Sequence, residues 1–181
     1  MKIKIALNVG CGFSRRKDTH YLIQGEEWKH IRVDIDPEVK PDRIDDSSKL
    51  ETFASKSVDA IFSSHNLEHL HKEDAKAALL TYYDRLKSGG LCIIVVPNFE
   101  LACKHIAEGR DYPVYFSPAG GISALDMIFG YSKYTQNNIY MRHQWGYTCK
   151  SLVALFNDSG FKNVESSSDD AYNIWTFGMK E

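Results

Sequence analysis

The amino-acid sequence predicts an α/β fold built on a mainly parallel sheet. Two observations predict it. Short apolar runs suited to strands alternate along the chain with stretches of helical period. One of those runs, Leu91-Cys92-Ile93-Ile94-Val95-Val96, is apolar at every position, as a central parallel strand covered on both faces requires.

The elements follow in order. Lys2 to Val9 alternates and then turns apolar, a buried strand that stops at Gly10-Cys11-Gly12. Phe13 to Trp28 is polar and lacks a helical period, which predicts a loop or a short irregular helix. His30 to Asp34 is a second strand, ended by Asp36-Pro37, since proline cannot donate to a ladder. Leu50 and Phe53 suggest a short helical turn, and Val58 to Ser63 a third strand. Lys72 to Lys87 is the clearest helix: Ala75, Leu79, Tyr82, Tyr83 and Leu86 share one face. Glu73 and Asp74 in its first turn and Arg85 and Lys87 in its last suit the helix dipole, and Gly89-Gly90 supplies a stop. Beyond the Leu91–Val96 strand, Asn98 caps a helix bearing Leu101, Ala102, His105 and Ile106. Ala124 to Phe129 reads as a short helix. Ser151 caps a helix that turns Leu152, Leu155 and Phe156 inward and closes at Gly160, and Phe161 to Ser166 and Tyr172 to Met179 are the last strands.

The chemistry begins at the glycine turn. Glycine tolerates positive φ, and its missing Cβ lets a ligand touch the backbone. A dinucleotide fingerprint G-x-G-x-x-G wants a third glycine at position 15, where Arg15 stands, so a bound pyrophosphate is disfavoured. Asp34 ends the second strand 22 residues after Gly12. A carboxylate there suits a ribose diol, at the carboxyl edge where open α/β sheets bind ligands. Asp46, with Asp45 as a neighbour of equal claim, suits an exocyclic amine. Together these residues describe an adenosine site without a pyrophosphate site.

Four segments then carry a family resemblance. Leu7-Asn8-Val9-Gly10-Cys11-Gly12, Val33-Asp34-Ile35-Asp36-Pro37, Ser63-Ser64-His65-Asn66-Leu67-Glu68-His69-Leu70 and Leu86-Lys87-Ser88-Gly89-Gly90-Leu91 occur in that order. The set resembles the class I S-adenosylmethionine-dependent methyltransferases, in particular the small bacterial type 11-like proteins. It covers about residues 3–98, and more loosely 147–161. The resemblance implies a Rossmann-like sheet of seven strands in the order 3-2-1-4-5-7-6, strand 7 antiparallel, with flanking helices and a cap inserted after strand 5. It implies S-adenosyl-L-methionine as cofactor. By motif position, Gly10, Cys11 and Gly12 pass under the methionine moiety, Asp34 binds the ribose, Ile35 packs on adenine, and Asp46 and Ser47 hold its edge. Ser64 and His65 lie near the methyl donor. Asn8 stands where the family often carries an acid, so its contact with the cofactor's ammonium is weakened or indirect. The usual first helix is also poorly encoded, which makes Phe13 to Gly25 a loop that closes over the cofactor.

His65-Asn66-Leu67-Glu68-His69 also matches H-x-x-E-H, an inverted zinc-peptidase string. On a helix its two imidazoles would share a face. Here the string directly follows a strand, and its only candidates for a third ligand, Glu100 and Glu108, have no support. No metal ligand set is therefore assigned: Glu68 reads as a helix-start acid, and His69 and His71 as surface or core-edge histidines. Residues 99–146 form the expected acceptor-binding cap, rich in aromatics, with His105, Tyr115, Tyr131, Tyr140, His143 and Trp145 as candidates for the acceptor. They make either a satellite core or a cage for a cationic acceptor. His65 and His143 are the expected polar, catalytic groups.

With 181 residues the chain is expected to be a single methyltransferase domain, 1–181. Twenty-two basic against twenty-four acidic residues give a net charge of −2, which disfavours a nucleic-acid partner, although the Arg15-Arg16-Lys17 run offers an anionic acceptor a place. No apolar run approaches the ~20 residues of a membrane span. Four unpaired-looking cysteines and the lack of a signal-peptide core make a cytoplasmic location the expectation. The reading is a methyltransferase for a small-molecule or saccharide-type acceptor. The alternatives are an H-x-x-E-H zinc metallopeptidase and a non-catalytic S-adenosylmethionine- or nucleoside-binding protein.

Overall fold

A computed structural model describes residues 3–110, 112–117 and 119–181, so Lys2 of the first expected strand lies outside the described residues. The sheet has seven strands. β1 (Lys4–Val9), β2 (Trp28–Asp34), β3 (Arg43–Ile44), β4 (Val58–Ser64) and β5 (Leu86–Pro97) are parallel to their neighbours, while β9 (Asn173–Met179) runs antiparallel to both β5 and β8 (Lys162–Ser168). The order β3-β2-β1-β4-β5-β9-β8 is the order the resemblance implies. β3 spans two residues and escapes the sequence reading, because it carries no apolar run.

The two faces of the sheet are covered unequally. One face packs against α1 (Lys72–Arg85) and α5 (Cys149–Asp158), whose Ala75, Leu79, Tyr82, Leu152 and Phe156 bury against Leu7, Val9, Ile61, Cys92, Ile94 and Val96. The other face holds only Ala6, Ile23, Ala60, Phe62, Ile93 and Val95, with Trp28, Leu91, Trp175 and Phe177 half-buried around them. Its cover is the crossover from β1 to β2, which forms two 3₁₀ turns, Arg16–Asp18 and Tyr21–Ile23, in place of a helix. His20 lays its ring on Trp175 and Phe177 at 5.6 and 5.1 Å.

Local signals were displaced in three places. α1 stops at Arg85, two residues early, and Gly89-Gly90 lie inside β5 at an irregularity in its pairing with β4. There Gly89 N–H donates to the Lys180 carbonyl and Gly90 accepts from Lys180 N–H, so these glycines shape the strand's edge. α5 is capped by Thr148, whose hydroxyl accepts from Ser151 N–H; Ser151 completes a reciprocal box from inside the helix. Leu50 and Phe53 sit in hydrogen-bonded turns, with Leu50 at φ 46°.

Between β5 and α5 the chain leaves the sheet. α2 (Phe99–Ala107), capped by Asn98 as expected, is followed by a hairpin of β6 (Pro113–Ser117) and β7 (Gly120–Ser123), then α3 (Ala124–Phe129) and α4 (Ser132–Thr135). These pieces close a satellite core of Ala102, Ile122, Ala124 and Met127. None of the helices is long and apolar enough to cross a membrane among the described residues.

The turn joining β8 to β9 is held by one carboxylate. Asp169 accepts from Trp175 Nε1 at 2.8 Å, from Asn173 N and Nδ2 at 2.9 and 3.0 Å, and from Ala171 N at 2.9 Å. Burial pushes its pKa up, but these donors outweigh burial and hold it below the usual carboxylate value. A depressed pKa contributes stability above the unfolded-state value and loses it as pH falls through the folded one. Asp169→Asn should therefore lower urea-unfolding stability at neutral pH by about 1–2 kcal/mol. The gap between variant and wild type should close as the pH is taken below about 4.

Candidate active site

The carboxyl ends of β1, β2 and β4 open on one cleft of about 860 Å³. All ten residues that the sequence reading gives to the cofactor line it, from Asn8 through Asp34 and Asp46 to His65. Opposite the sheet it is bordered by Asn138, Tyr140 and Met141 of the 99–146 segment and by Phe13 of the loop after β1.

The floor is the glycine turn. Gly10 and Gly12 take φ of 63° and 47°, in the left-handed region where side chains are strained. A Cβ on Gly10 would stand 2.3 Å from the Asn66 side chain, whereas one on Gly12 would meet nothing within 4 Å. Gly10 is thus fixed by packing, and Gly12 presents bare backbone to open space. Asn8, 2% exposed, donates from Nδ2 to Ser14 Oγ at 3.1 Å and pins the loop. Burial pushes the Cys11 thiol up to about 11, so it stays protonated.

Asp34 is committed on one edge and open on the other. Its Oδ2 accepts Gly12 N–H at 2.7 Å and its Oδ1 accepts Asp36 N–H at 3.0 Å. A carboxylate offers about four lone-pair sites, so acceptor capacity toward the cleft remains. Ile35, 54% exposed, spreads an apolar side chain beside it. The two neighbouring acids separate cleanly. Asp45 is buried and accepts from Thr52 N and Oγ1 at 2.8 and 2.6 Å, which makes it a turn-former. Asp46 lines the cleft, and although burial opposes this, the Ser48 hydrogen bonds and Lys49 hold its carboxyl below the usual range.

Sequence reasoning missed two residues here. Arg32 sends its guanidinium to four backbone carbonyls, those of Ser14, Lys40, Gly12 and Val39, at 2.9, 2.7, 2.6 and 3.0 Å. It clamps the loop after β1 to the turn after β2. Asn66, which closes over Gly10, lines the cleft and donates to Ser63 Oγ at 3.2 Å.

The H-x-x-E-H string does not form a helix face. His65 leaves β4 in the left-handed region, φ 50°, and only Leu67–His69 makes a 3₁₀ turn. Such strain in a non-glycine residue marks functional sites. Glu68 stands in the first turn of that 3₁₀ segment, as a helix-start acid does, but it is 2% exposed. Loss of water opposes charge on His65, but Glu68 Oε1, 3.4 Å from His65 Nδ1, outweighs it and raises the His65 pKa. His143 is not in the cleft. It lines a closely packed crevice with Glu68, Met127 and Tyr147, and its ring meets that of His69 at 4.9 Å. Burial pushes the His143 pKa down. Of the other cap candidates, Tyr115 and Tyr131 pack on the satellite core, His105 is buried against Tyr172, and Trp145 meets the Lys72 ammonium; Tyr140 alone among them lines the cleft. Glu100 and Glu108 take no part in the one histidine–acid cluster among the described residues.

A family model described as a methyltransferase domain matches residues 6–166. The chain belongs to this methyltransferase family. Solved structures share its fold. A SAM-dependent methyltransferase from Archaeoglobus fulgidus is 16% identical with a TM-score of 0.64, over 98% of this chain and 86% of that one. Another, from Aquifex aeolicus, is 14% identical with a TM-score of 0.61, over 99% and 84%. The 1,6-didemethyltoxoflavin-N1-methyltransferase of Burkholderia thailandensis, solved with bound 1,6-didemethyltoxoflavin and S-adenosylhomocysteine, is 15% identical with a TM-score of 0.60, over 99% and 72%. Among curated protein sequences nothing matches the chain. A zinc-peptidase reading of the H-x-x-E-H string has neither the helix nor the fold it needs.

The clamp gives a test on this methyltransferase. Arg32→Ala strips four carbonyls of a charged donor, at about 1.5–3 kcal/mol for a buried bond of this kind and less where water enters. We expect roughly 2 kcal/mol lower unfolding stability and faster hydrogen exchange confined to residues 12–18 and 37–42, read by mass spectrometry.

Proposed function

We propose that the chain transfers a methyl group from S-adenosyl-L-methionine to a small-molecule or saccharide-type acceptor that enters from the side of residues 99–146. The observation that carries this reading is the cleft itself, where the bare backbone at Gly12, the partly free carboxylate of Asp34 and the apolar side chain of Ile35 meet. These residues fit an adenosyl group. Asp34 would hold the ribose, Ile35 would lie on the adenine, Asp46 and Ser47 would take its edge, and Gly10 to Gly12 would carry the methionine moiety. Asn8 gives Nδ2 to Ser14 and keeps Oδ1, a neutral acceptor, as the atom that would meet an ammonium. When bound, the cofactor supplies a methyl group on a sulfonium.

The chain's own part is positioning and exclusion of water. Holding two reactants in line can lower a barrier by several kcal/mol, up to ~7–11 in ideal cases. Ser64 and His65 end β4 at the cleft. His65, kept basic by Glu68, is the group here suited to take a proton from a hydroxyl or ammonium acceptor. Phe13 and Tyr140, 75% and 70% exposed on the cleft lining, are placed to close over bound ligand. His143 supports from behind. The four cysteines, all free, fit a reducing compartment.

Asp34 tests the reading. Each charged hydrogen bond lost costs about 1.5–3 kcal/mol, so Asp34→Ala should weaken S-adenosylhomocysteine binding in calorimetry at least tenfold, and Asp34→Asn by less. Absence of binding by the wild type, or equal binding by Asp34→Ala, would overturn it. Binding without turnover on any acceptor would favour a non-catalytic binder.

A further inference from the structure

At the edge of the cleft lies a cluster whose donor atoms the methyl-transfer reading does not account for. Glu68, His69 and His143 each bring one ligand atom to within 4.8 Å of the others. Glu68 is 2% exposed, yet both of its carboxylate oxygens lack a hydrogen-bond partner among the described residues. The nearest polar group, His65 Nδ1, stands at 3.4 Å. A buried carboxylate calls for compensating positive charge, and the long 3.4 Å contact with His65 reaches only Oε1, so Oε2 is left for a further cation.

The two imidazoles are prepared in one particular way. His69 Nδ1 lies 3.1 Å from the Arg142 carbonyl, and His143 Nδ1 lies 2.9 Å from the Met127 carbonyl. A carbonyl only accepts, so each ring carries a proton on Nδ1, and its neutral form keeps Nε2 as a lone pair. This pattern, a histidine whose second nitrogen donates to a backbone carbonyl, is how proteins orient metal-ligating imidazoles. Backbone bonds hold the two halves together: Gln144 and Trp145 N–H both donate to the Glu68 carbonyl, at 2.7 and 3.2 Å. Ligands from distant parts of the chain are thus fixed by the fold rather than by one flexible loop.

We propose that Glu68, His69 and His143 bind a divalent first-row transition metal ion at the boundary between the cleft and the 99–146 segment. Two histidines and one carboxylate with open positions make a known donor set for zinc(II) and for iron(II). Bonds of about 2.0–2.1 Å put tetrahedral ligand atoms roughly 3.3 Å apart, so the three side chains draw together from their present spacing when the ion binds. His65 and His69 line the cleft and Glu68 and His143 the packed crevice. Because His69 also lines the cleft, we assign the ion's open position to that side. A Lewis acid there takes an oxygen ligand and makes its hydroxyl more acidic. The acceptor class follows: a molecule that offers hydroxyl or enol oxygen. This last step rests on the methyl-transfer reading; the metal site does not.

Titration of the purified full-length chain with cobalt(II), read by visible absorption and by metal analysis after dialysis, tests the site. About one ion per chain is expected, with nitrogen and oxygen ligation. Glu68→Gln and His143→Ala should each weaken binding at least tenfold, while His71→Ala should not. S-adenosylhomocysteine calorimetry on the same samples reports folding of each variant. No retained ion in the wild type, undiminished binding in both folded variants, or a thiolate-to-cobalt band pointing to Cys11 would each overturn the proposal. Should both variants fail to fold, the wild-type ligand field and the His69→Gln variant decide it by the same criteria. Metal binding without S-adenosylhomocysteine binding would sink the methyl-transfer reading and leave the site standing; the converse would do the reverse.

Discussion

One carboxylate, that of Asp34, joins the ends of the first two strands by accepting Gly12 N–H at 2.7 Å and Asp36 N–H at 3.0 Å. The rest of the cleft depends on this tie. β1 and β2 are in register from Lys4 with Trp28 to Val9 with Val33, and past that point their chains diverge. The left-handed turns at Gly10 and Gly12 let the first chain fold back, and the Asp34 carboxylate fixes the turned chain through Gly12 N–H. Arg32 sets the width from below by tying both diverging loops through their carbonyls. Opposite charges on one strand, two residues apart, thus hold both sides of one opening.

The uneven cover of the sheet follows from the same region. A crossover helix would place a regular wall after Gly12, but Phe13 to Trp28 has too few apolar residues at helical spacing to bury one. Two 3₁₀ turns and Arg16, which donates to the Gln24 carbonyl, stabilise the segment instead. Only Ile23 from it enters the core, with the His20 ring as a second contact on Trp175 and Phe177. Little apolar area is buried there, so this segment opens at lower cost than the α1 and α5 face. A segment of low local stability beside a ligand cleft is suited to move when ligand enters.

What was legible in the sequence was what the local backbone demands. Gly10, Gly12, Asp34 and the apolar strands announce themselves, because a left-handed turn, a strand-end acid and a doubly covered strand each admit few residue types. What was not legible depends on direction. Asp45 and Asp46 are chemically equal, and only the fold sends the first to Thr52 and the second to the cleft. Thr148 and Ser151 share one capping box, so composition cannot say which begins the helix. Arg32 is invisible for another reason: its partners are carbonyls, which every residue carries. His143 was singled out by residue type, but its neighbours Glu68 and His69 are set by the path of residues 99–146.

That path explains why unfavourable features collect in one short string. Within His65 to His69 the chain holds a left-handed non-glycine residue, a buried acid without hydrogen bonds, and an imidazole fixed to a distant carbonyl. α1 and α5 bury their apolar faces, and Asn98 and Thr148 cap their helices, while left-handed non-glycine residues also occur singly at Lys40, Leu50, Lys56, Asn163 and Tyr172. Sequences that specify a fold usually break several local rules together only where function requires it. A buried Glu68 is tolerable because large cores on one face supply a surplus of stability, and because Gln144 and Trp145 lock its backbone in place. The left-handed turn at His65 and the buried Glu68 beside it thus meet at the edge of the cleft, and the path of residues 99–146 holds them there.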